Sequence, residues 1–326
     1  MEVYLGIDVG SVTTKFALLN SVDELINSVY LPTAGKPVAA IQRGLREIGQ
    51  QLPAGAEIMG VAVTGSARNL AGAVVGADII KNEITCQAIA AVDFLPAVQT
   101  VIEIGGQDSK IIIVSDGIVT DFGMNTVCAA GTGSFLDHQA SRLNMSIQEL
   151  SRQALLANAP VNITGRCTVF AESDMVHKQQ MGNRIEDIIY GLCRALVRNY
   201  LNDVASGKDI RSPVVFQGGV AFNKGIIKAL CEELDTEIIV PPHHEVMGAI
   251  GAALIVHESM MDNHEVTRFR GFDYCETEYR TYSFECRACP VACEIVRVSA
   301  DGRVITEVGG QCDKWQGNLV NQGVQY

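Results

Sequence analysis

The feature that most constrains the fold is a unit of three strands and two turns that occurs twice in the chain. In each copy an apolar strand leads into a turn that carries an acid and a glycine, and a hydroxyl and a lysine follow. The pattern predicts strands over Val3–Asp8, Thr13–Leu19, Leu25–Leu31, Val101–Ile104, Lys110–Val114 and Ile118–Phe122. An internal duplication of this kind predicts two similar lobes. Two unrelated hairpins are the alternative, because acid–glycine turns are common.

The segments between and after the two copies alternate between helical and strand periodicity. Helices are predicted over residues 37–52, 83–94, 134–143, 146–157, 168–179, 183–201, 224–234 and 247–260, strands over 57–64, 213–217 and 237–240, and a turn within 65–72. This order predicts an α/β fold with mixed sheets. We expect a first lobe over residues 1–95, completed by the helix near 247–260, a second lobe over 96–260, and an extension over 261–326.

Charge and composition argue against several classes of protein. The chain has 25 basic and 37 acidic residues, a net charge of −12 without a basic stripe, so we expect no nucleic-acid partner. No apolar run reaches the roughly 18–20 residues of a membrane span, and residues 1–6 lack the basic start of a signal peptide. Ten cysteines in such a chain indicate thiolates, metal ligands or core packing rather than disulfides. We therefore expect a cytoplasmic protein without a membrane partner.

Three glycine-bearing turns follow apolar strands and point to a phosphate ligand. They lie at residues 8–11, 105–108 and 218–221. Glycine lets the backbone approach a ligand and aim its amides at phosphate oxygens, an acid beside the turn can hold Mg²⁺ through water, and lysine supplies a positive charge. Neither the P-loop pattern nor the dinucleotide-binding glycine pattern occurs between a strand and a helix, so those two folds are disfavoured.

Four segments resemble the motifs of one nucleotide-binding superfamily. Asp8–Lys15, Glu103–Lys110, Phe216–Ala221 and Met247–Ala253 are similar to the phosphate-1, phosphate-2, adenosine and connecting motifs of the acetate kinase/sugar kinase/Hsp70/actin superfamily. The resemblance implies two RNase H-like lobes with Mg-ATP in the cleft between them, and a small cysteine-rich C-terminal appendage departs from it. Glu103 also departs from it, since an aspartate is usual there.

The same resemblance implies roles for individual residues. Asp8 would hold a water on Mg²⁺, and Gln107 and Asp108 complete the expected catalytic set. The residues expected to contact ATP are Gly10, Ser11, Thr13, Thr14, Lys15, Gly105, Gly106, Gln107, Lys110, Gly131, Gly133, Gly218, Gly219 and Asn223.

Two cysteines lie in small-residue segments where helices are expected to begin. Cys128 lies in V-C-A-A-G-T-G-S-F and Cys167 in G-R-C-T-V-F-A-E-S. A helix N-terminus lowers the pKa of a thiol. Two thiolates cannot complete a [4Fe–4S] site, which takes four, but a twofold dimer supplies two from each chain. Spacing alone leaves the alternative open that both cysteines are buried and pack as small apolar groups.

Both cysteine segments resemble those of the BadF/BadG/BcrA/BcrD-type ATPases. These include the ATP-dependent activators, or archerases, of 2-hydroxyacyl-CoA dehydratases and the related reductases of double-cubane-cluster proteins. The resemblance implies that Cys128 and Cys167 hold one [4Fe–4S] cluster per homodimer. It implies that ATP drives one electron to a partner iron–sulfur protein, with a ferredoxin or flavodoxin as the source. A small-molecule kinase of the same superfamily and an ATP-dependent binding module without redox chemistry are the alternatives.

The C-terminal segment carries a second group of cysteines. Cys286, Cys289 and Cys293 form a C-x₂-C-x₃-C pattern, and Cys312 returns after a predicted hairpin. This set suits a second metal site, for Zn²⁺ or for iron–sulfur, with Cys275 as a competing ligand. A reduced tail without metal is the alternative.

Several other residues are assigned from their local pattern. Glu172, five residues after Cys167, is interpreted as a nucleotide or interface residue, or as an exposed or capping residue. His243 and His244 are assigned to a loop rather than to a metal pair, because adjacent side chains point apart. The remaining thiols, expected in the core, are Cys86, Cys193 and Cys231.

Overall fold

The structure is a computed structural model, and it describes residues 1–125, 128–164, 167–263, 266–300 and 302–315. Contacts within the chain divide it into two compact units, one formed by residues 1–86 with those from 248 onward and the other by residues 87–247. The division into two lobes and a C-terminal extension, which the sequence suggests, remains a prediction.

The first part of the chain alternates strands and helices. Its elements are β1 (Glu2–Val9), β2 (Thr13–Asn20), β3 (Leu25–Pro32), α1 (Pro37–Gln50), β4 (Glu57–Thr64), α2 (Arg68–Val75), β5 (Ile79–Ile80), α3 (Glu83–Phe94), β6 (Thr100–Ile104), β7 (Ser109–Ser115) and β8 (Ile118–Asn125). Helix α3 and five of the six strands of the duplicated unit lie where the sequence predicts them, to within two residues at each end. The sixth strand, β8, continues three residues beyond the predicted end at Phe122.

The second part is mostly helical and ends in three strands. Its elements are α4 (Gly133–Arg142), α5 (Ile147–Ala154), α6 (Thr168–Gln180), α7 (Ile185–Asp203), β9 (Val214–Gln217), α8 (Lys224–Leu234), β10 (Ile238–Ile239), α9 (Met247–Asn263), β11 (Tyr279–Glu285), β12 (Glu294–Ala300) and β13 (Arg303–Val308). None of the helices in the described part of the chain is both long and apolar enough to cross a membrane.

Two five-stranded sheets share one topology, which confirms the duplication. The first sheet has the order β3-β2-β1-β4-β5, and the second has the order β10-β9-β6-β7-β8. In each sheet the first three strands are antiparallel neighbours, and the fourth strand pairs in parallel with the first. A parallel partner requires a crossover, and helices occupy both crossovers. The shared topology therefore excludes the alternative of two unrelated hairpins.

The turn predicted within residues 65–72 is confirmed at residues 65–67, and helix α2 begins directly after it at Arg68. Glycine is a weak helix former, so Gly72 favours a turn in a reading of the sequence. In the structure Gly72 lies inside α2, where a Cβ would approach the Ile80 side chain to 2.6 Å. The glycine allows the helix to pack closely on the sheet, which sequence periodicity does not report.

Helix α9 packs directly on the central strand of the first sheet. A Cβ at Gly6 would lie 1.8 Å from the backbone oxygen of Ala249, and a Cβ at Gly251 would lie 1.8 Å from that of Cys86. The small residues at both contacts therefore let backbone approach backbone. This close packing explains why the segment that begins at Met247 is rich in glycine and alanine.

The strands β11–β13 form an antiparallel sheet that lies within the first unit and packs on α2. Val298 of β12 is fully buried in the same apolar core as Leu70 and Val74 of α2. The Tyr279 hydroxyl donates to the backbone oxygen of Val74 at 3.5 Å. Strands β12 and β13 lie where the sequence predicts a hairpin.

The contact at Gly6 predicts a large loss of stability for Gly6→Ala. Without a clash, replacing glycine by alanine is close to neutral, but here the new methyl group would overlap backbone and cost about 3 kcal/mol. Thermal unfolding should show a midpoint lowered by roughly 6–12 °C. Gly131→Ala is the control, because a Cβ there meets its nearest atoms at 3.5 Å. Equal midpoints for the two variants would contradict the packing described here.

Candidate functional site

Each copy of the duplicated unit is closed by an acid and a lysine that face each other across two strands. Asp8 of β1 is the register partner of Lys15 of β2, and Glu103 of β6 is the register partner of Lys110 of β7. The Lys15 Nζ lies 3.0 Å from Asp8 Oδ2, and the Lys110 Nζ lies 2.9 Å from Glu103 Oε2. Lys110 also contacts Asp108 Oδ2 at 2.7 Å. The same charge pair therefore brackets both glycine turns.

The two turns also share a backbone hydrogen bond. Gly10 N–H donates to the Thr13 oxygen at 3.0 Å, and Gly105 N–H donates to the Asp108 oxygen at 3.0 Å. Ser11 and Gln107 are exposed within these turns. The turns therefore present a hydroxyl and an amide to solvent from a backbone that is internally fixed.

A glycine of the neighbouring parallel strand approaches each acid. Gly65 follows β4 with φ +98°, and a Cβ there would lie 2.6 Å from Asp8 Oδ1. Gly218 follows β9 with φ +93°, and a Cβ there would lie 2.8 Å from Glu103 Oε1. Both positions therefore require glycine for its conformation and for its lack of a side chain.

Two residues expected to contact ATP are buried in the structure. Thr14 is fully buried, and its hydroxyl lies 2.8 Å from that of Thr33, which in turn donates to the Gly10 oxygen at 2.8 Å. Lys110 is 1 % exposed. Both side chains therefore support their own turns from the buried side. The Lys15 side chain, in contrast, is 17 % exposed to solvent. The expected phosphate contacts themselves remain predictions.

The loop predicted to contact the nucleoside is held in place by His244, for which the sequence predicted no contact. Gly218 N–H donates to the His244 backbone oxygen at 2.7 Å, and the His244 ring Nδ1 lies 3.1 Å from the Gly218 oxygen. The Phe222 ring packs edge-on against the His244 imidazole, with the ring centroids 4.3 Å apart. The only sequence signal for this contact is the Pro-Pro-His-His segment before α9.

Asn223 has a structural role in the same loop. Its side-chain oxygen caps helix α8 by accepting hydrogen bonds from the N–H groups of Gly225 and Ile226. Its side-chain nitrogen is buried and has no hydrogen-bond partner among the described residues. The amide is therefore available to a ligand while the oxygen is committed to the helix.

Cys128 and Cys167 each lie immediately before a helix and are partly exposed. Cys128 precedes a short 3₁₀ helix over Ala129–Gly131, and Cys167 is the N-cap residue of α6. Asn125 fixes the first of them, because its side chain accepts from Cys128 N–H and donates to Cys128 O, both at 2.9 Å. Neither cysteine is therefore fully buried, as it would be if it served only to pack the apolar core.

The segment before Cys167 is tied to the helix that follows it. Both the N–H and the hydroxyl of Thr164 donate to Asp174 Oδ2, each at 2.7 Å. Burial opposes the charge on Asp174, but these hydrogen bonds outweigh it and lower the pKa of its carboxyl. The tie is therefore complete at neutral pH and is lost as the pH falls through that lowered pKa.

The cysteines of the C-terminal segment are not grouped as ligands in the described residues. Cys286 N–H donates to the Cys293 oxygen at 2.7 Å, and the Trp315 ring N–H donates to Cys286 Sγ at 3.2 Å. Hydrogen bonds from the Ala288 backbone and from Trp315 lower the pKa of the Cys286 thiol. Among residues 266–300 and 302–315, as elsewhere in the described chain, no three His, Cys, Asp or Glu side chains are grouped to hold a metal. The expected second metal site, which includes Cys289 and Cys312, remains a prediction.

The fold and loops together define an ATPase of the actin, sugar kinase and Hsp70 type. A glucokinase of the ROK family from Streptomyces griseus, solved with glucose and AMPPNP, shares this fold with a TM-score of 0.51 at 12% identity, over 78% of this chain and 99% of that one. At that identity the likeness concerns the fold alone.

The chain belongs to the BadF/BadG/BcrA/BcrD ATPase family, whose profile matches residues 5–256. The (R)-2-hydroxyglutaryl-CoA dehydratase activating ATPase of Acidaminococcus fermentans is 37% identical over 260 residues, 79% of this chain and 98% of the relative. The solved activator of 2-hydroxyisocaproyl-CoA dehydratase from Clostridium difficile, with bound ADPNP, is 32% identical and covers 80% of this chain and 97% of its own, with a TM-score of 0.74. The family match ends before β11.

Removing the charge of Lys110 should destabilise the protein strongly. Lys110→Met removes the cation that faces the buried Glu103 carboxylate, which costs about 3–5 kcal/mol. The double variant Glu103→Gln with Lys110→Met removes both charges and should recover most of that loss. Lys15→Met is the matched change in the first copy, and it should cost less because that pair is more exposed. Urea unfolding measures all four proteins, and a double variant no more stable than Lys110→Met would contradict this account.

The cysteines should separate by their reactivity with iodoacetamide. Burial raises the pKa of Cys86 and of Cys193 to about 12, so at pH 8 only about one molecule in ten thousand carries either thiolate. We expect Cys128 and Cys167 of the folded, metal-free chain to be alkylated at least about tenfold faster than these two. Peptide mapping by mass spectrometry gives the rates, and unfolding in urea should remove the difference. Equal rates in the folded chain would refute the burial assignments.

Proposed function

We propose that this protein is an ATP-dependent donor of single electrons at low potential. Two copies form a homodimer in which one [4Fe–4S] cluster is held by Cys128 and Cys167 of both chains. ATP is hydrolysed to ADP and phosphate as one electron passes from the reduced cluster to an iron–sulfur protein of the 2-hydroxyacyl-CoA dehydratase or double-cubane-cluster type. A ferredoxin or flavodoxin then restores the electron. The names of the similar proteins support this proposal, because they describe activators of such dehydratases.

One observation carries the proposal beyond family membership. The segment after Cys128 is hydrogen-bonded to the second phosphate loop, since Gly133 N–H donates to the Gly105 oxygen at 2.9 Å and Ser134 N–H to the Gly106 oxygen at 2.8 Å. The loop that we expect to contact phosphate and the segment that carries Cys128 are therefore in direct contact. Such a contact allows a nucleotide to bias the position of the thiol.

The chemistry of the loops suits a magnesium nucleotide. Asp8 offers a carboxylate for a water on Mg²⁺, Ser11 an exposed hydroxyl and Gln107 an exposed amide that could orient the attacking water. Gln217 Oε1 and Asn223 Nδ2 are buried polar atoms without hydrogen-bond partners among the described residues. Buried polar atoms of this kind call for a ligand or ordered water.

The two cysteines suit one half of a cluster site. Each is partly exposed and lies at a helix start, and two sulfurs are half of the four that a [4Fe–4S] cluster takes. Large apolar side chains are exposed beside them: Val169 and Phe170 are 67% and 69% exposed just after Cys167, and Met124 is 44% exposed before Cys128. Exposed apolar residues around an incomplete ligand set favour contact with a second copy.

When bound, the cluster would supply the one-electron redox centre. The chain's own residues would fix the two thiols through Asn125 and Asp174 and would respond to the nucleotide through the loop at Gly105. ATP then shifts conformational populations instead of phosphorylating a small molecule. The thiolates require a reducing compartment, so we expect the donor in the cytoplasm.

Anaerobic purification and metal analysis test the proposal. The wild-type protein should be a brown dimer with about four iron atoms per two chains. Cys128→Ala and Cys167→Ala should each lose the iron while keeping nucleotide affinity. Asp8→Ala should keep the iron but lose the ATP-dependent reduction of an added iron–sulfur acceptor.

Cys231→Ala is the control, because Cys231 is another partly buried thiol that packs against the second unit's apolar core. It should retain the iron and the dimer. Full iron content in the Cys128 variant, or a colourless wild-type protein that phosphorylates an added alcohol or carboxylate, would refute the proposal.

A further inference from the structure

The acidic residue that follows Cys167 contacts a different helix. Glu172 lies on α6, five residues after Cys167, and its carboxylate faces α4. Its Oε1 lies 2.5 Å from the Arg142 guanidinium, and its Oε2 lies 3.6 Å from His138 Nδ1. His138 and Arg142 are four residues apart, so they occupy one face of α4. One carboxylate on the Cys167 helix therefore spans two side chains of α4.

Helix α4 begins at the second phosphate loop. Besides the two backbone hydrogen bonds already described, the Ser134 hydroxyl donates to the Gly106 oxygen at 2.5 Å. A Cβ at Gly133 would lie 3.0 Å from the Gly105 oxygen, so the helix start and the loop are in close contact. A displacement of Gly105 or Gly106 by a phosphate must therefore move the first turn of α4 or break these bonds.

The two cysteines differ in how they are connected to this point. Cys128 lies five residues before Gly133 and follows the start of α4 through the chain itself. Cys167 lies 34 residues after Gly133, so any coupling to the loop must pass through non-covalent contacts. On α6, Ala171 and Met175 are buried in the apolar core, and such packing is non-directional. The contact of Glu172 with α4 is directional and pairs opposite charges.

We propose that Glu172 is a positioning residue that couples the second phosphate loop to Cys167 by holding α6 to α4. This inference rests on the proposed function, since it assigns a purpose to movement of Cys167. The contact is too exposed to serve stability: the Glu172 and Arg142 side chains are 23% and 52% exposed, and such pairs contribute little to folding. The contacts of Glu172 with Arg142 and His138 account for its position, so the other two roles suggested by the sequence, a nucleotide contact and a helix cap, are not needed.

The test measures alkylation of Cys167 in the full-length chain after chelation of its metal. The rate is compared with and without Mg²⁺ and a non-hydrolysable ATP analogue. In the wild type the nucleotide should change the rate, and Glu172→Gln, which keeps the shape but removes the charge, should reduce that change by about two- to thirtyfold. Cys128 in the same molecules should keep its response, because it is connected through the chain.

Two further variants separate coupling from a structural effect. Exchanging the charges, with Glu172→Arg and Arg142→Glu together, should restore the response of Cys167. Glu186→Gln is the matched control, because the Glu186 side chain has a similar exposure of 20%. Its ion pair, at 3.3 Å, is with Arg184, which lies two residues before it in the chain and not on α4. It should behave as the wild type. Nucleotide affinity should be equal in all variants.

The outcomes decide the inference separately from the proposed function. An unchanged Cys167 response in Glu172→Gln, no restoration by the exchanged pair, or no nucleotide response in the wild type would overturn the coupling role. Iron content, measured on the anaerobically purified holoprotein, decides the proposed function alone. In the iron-loaded protein, Glu172→Gln should keep full iron but show a reduced nucleotide-dependent change in the paramagnetic resonance spectrum of the reduced cluster.

Discussion

The pairing of an acid on the first strand with a lysine on the second fixes the glycine turn in both copies of the duplicated unit. In the second copy Glu103 and Lys110 are almost completely buried, and a buried charge is tolerated only when its partner is in place. Because strand side chains alternate between faces, a slip of one residue would turn the lysine away from the acid. The pair therefore sets the register, and the register sets the glycine turn between the two residues.

A fixed turn transmits a displacement that a mobile one would absorb. Gly105 and Gly106 accept three hydrogen bonds from the first two residues of α4, so this glycine turn and the helix start form one unit. The short 3₁₀ helix that carries Cys128 at its start lies directly before this contact. The chain thus uses one segment, residues 128–134, to support the loop and to place a thiol.

Much of this arrangement could be predicted from the sequence, because it depends on local patterns. The duplicated strands, the α/β order and the positions of both cysteines before helices follow from periodicity and composition. The contacts that could not be predicted join distant residues or depend on which face a side chain takes. Thr14 reads as a phosphate ligand but is buried against Thr33, His244 contacts Gly218 from 26 residues away, and nothing around Glu172 in the sequence indicates Arg142.

The exposure of Cys128 and Cys167 distinguishes them physically from the core thiols. Burial keeps Cys86 and Cys193 protonated and inert, whereas a metal ligand must be a thiolate and must be reachable. The two thiols that one chain places at these helix starts cannot by themselves satisfy a four-sulfur centre. On the proposed function, the second copy supplies the missing ligands, and metal binding contributes directly to the free energy of association. Iron content and dimerisation would then be two measures of one equilibrium, and α6 is the element through which the nucleotide could shift it.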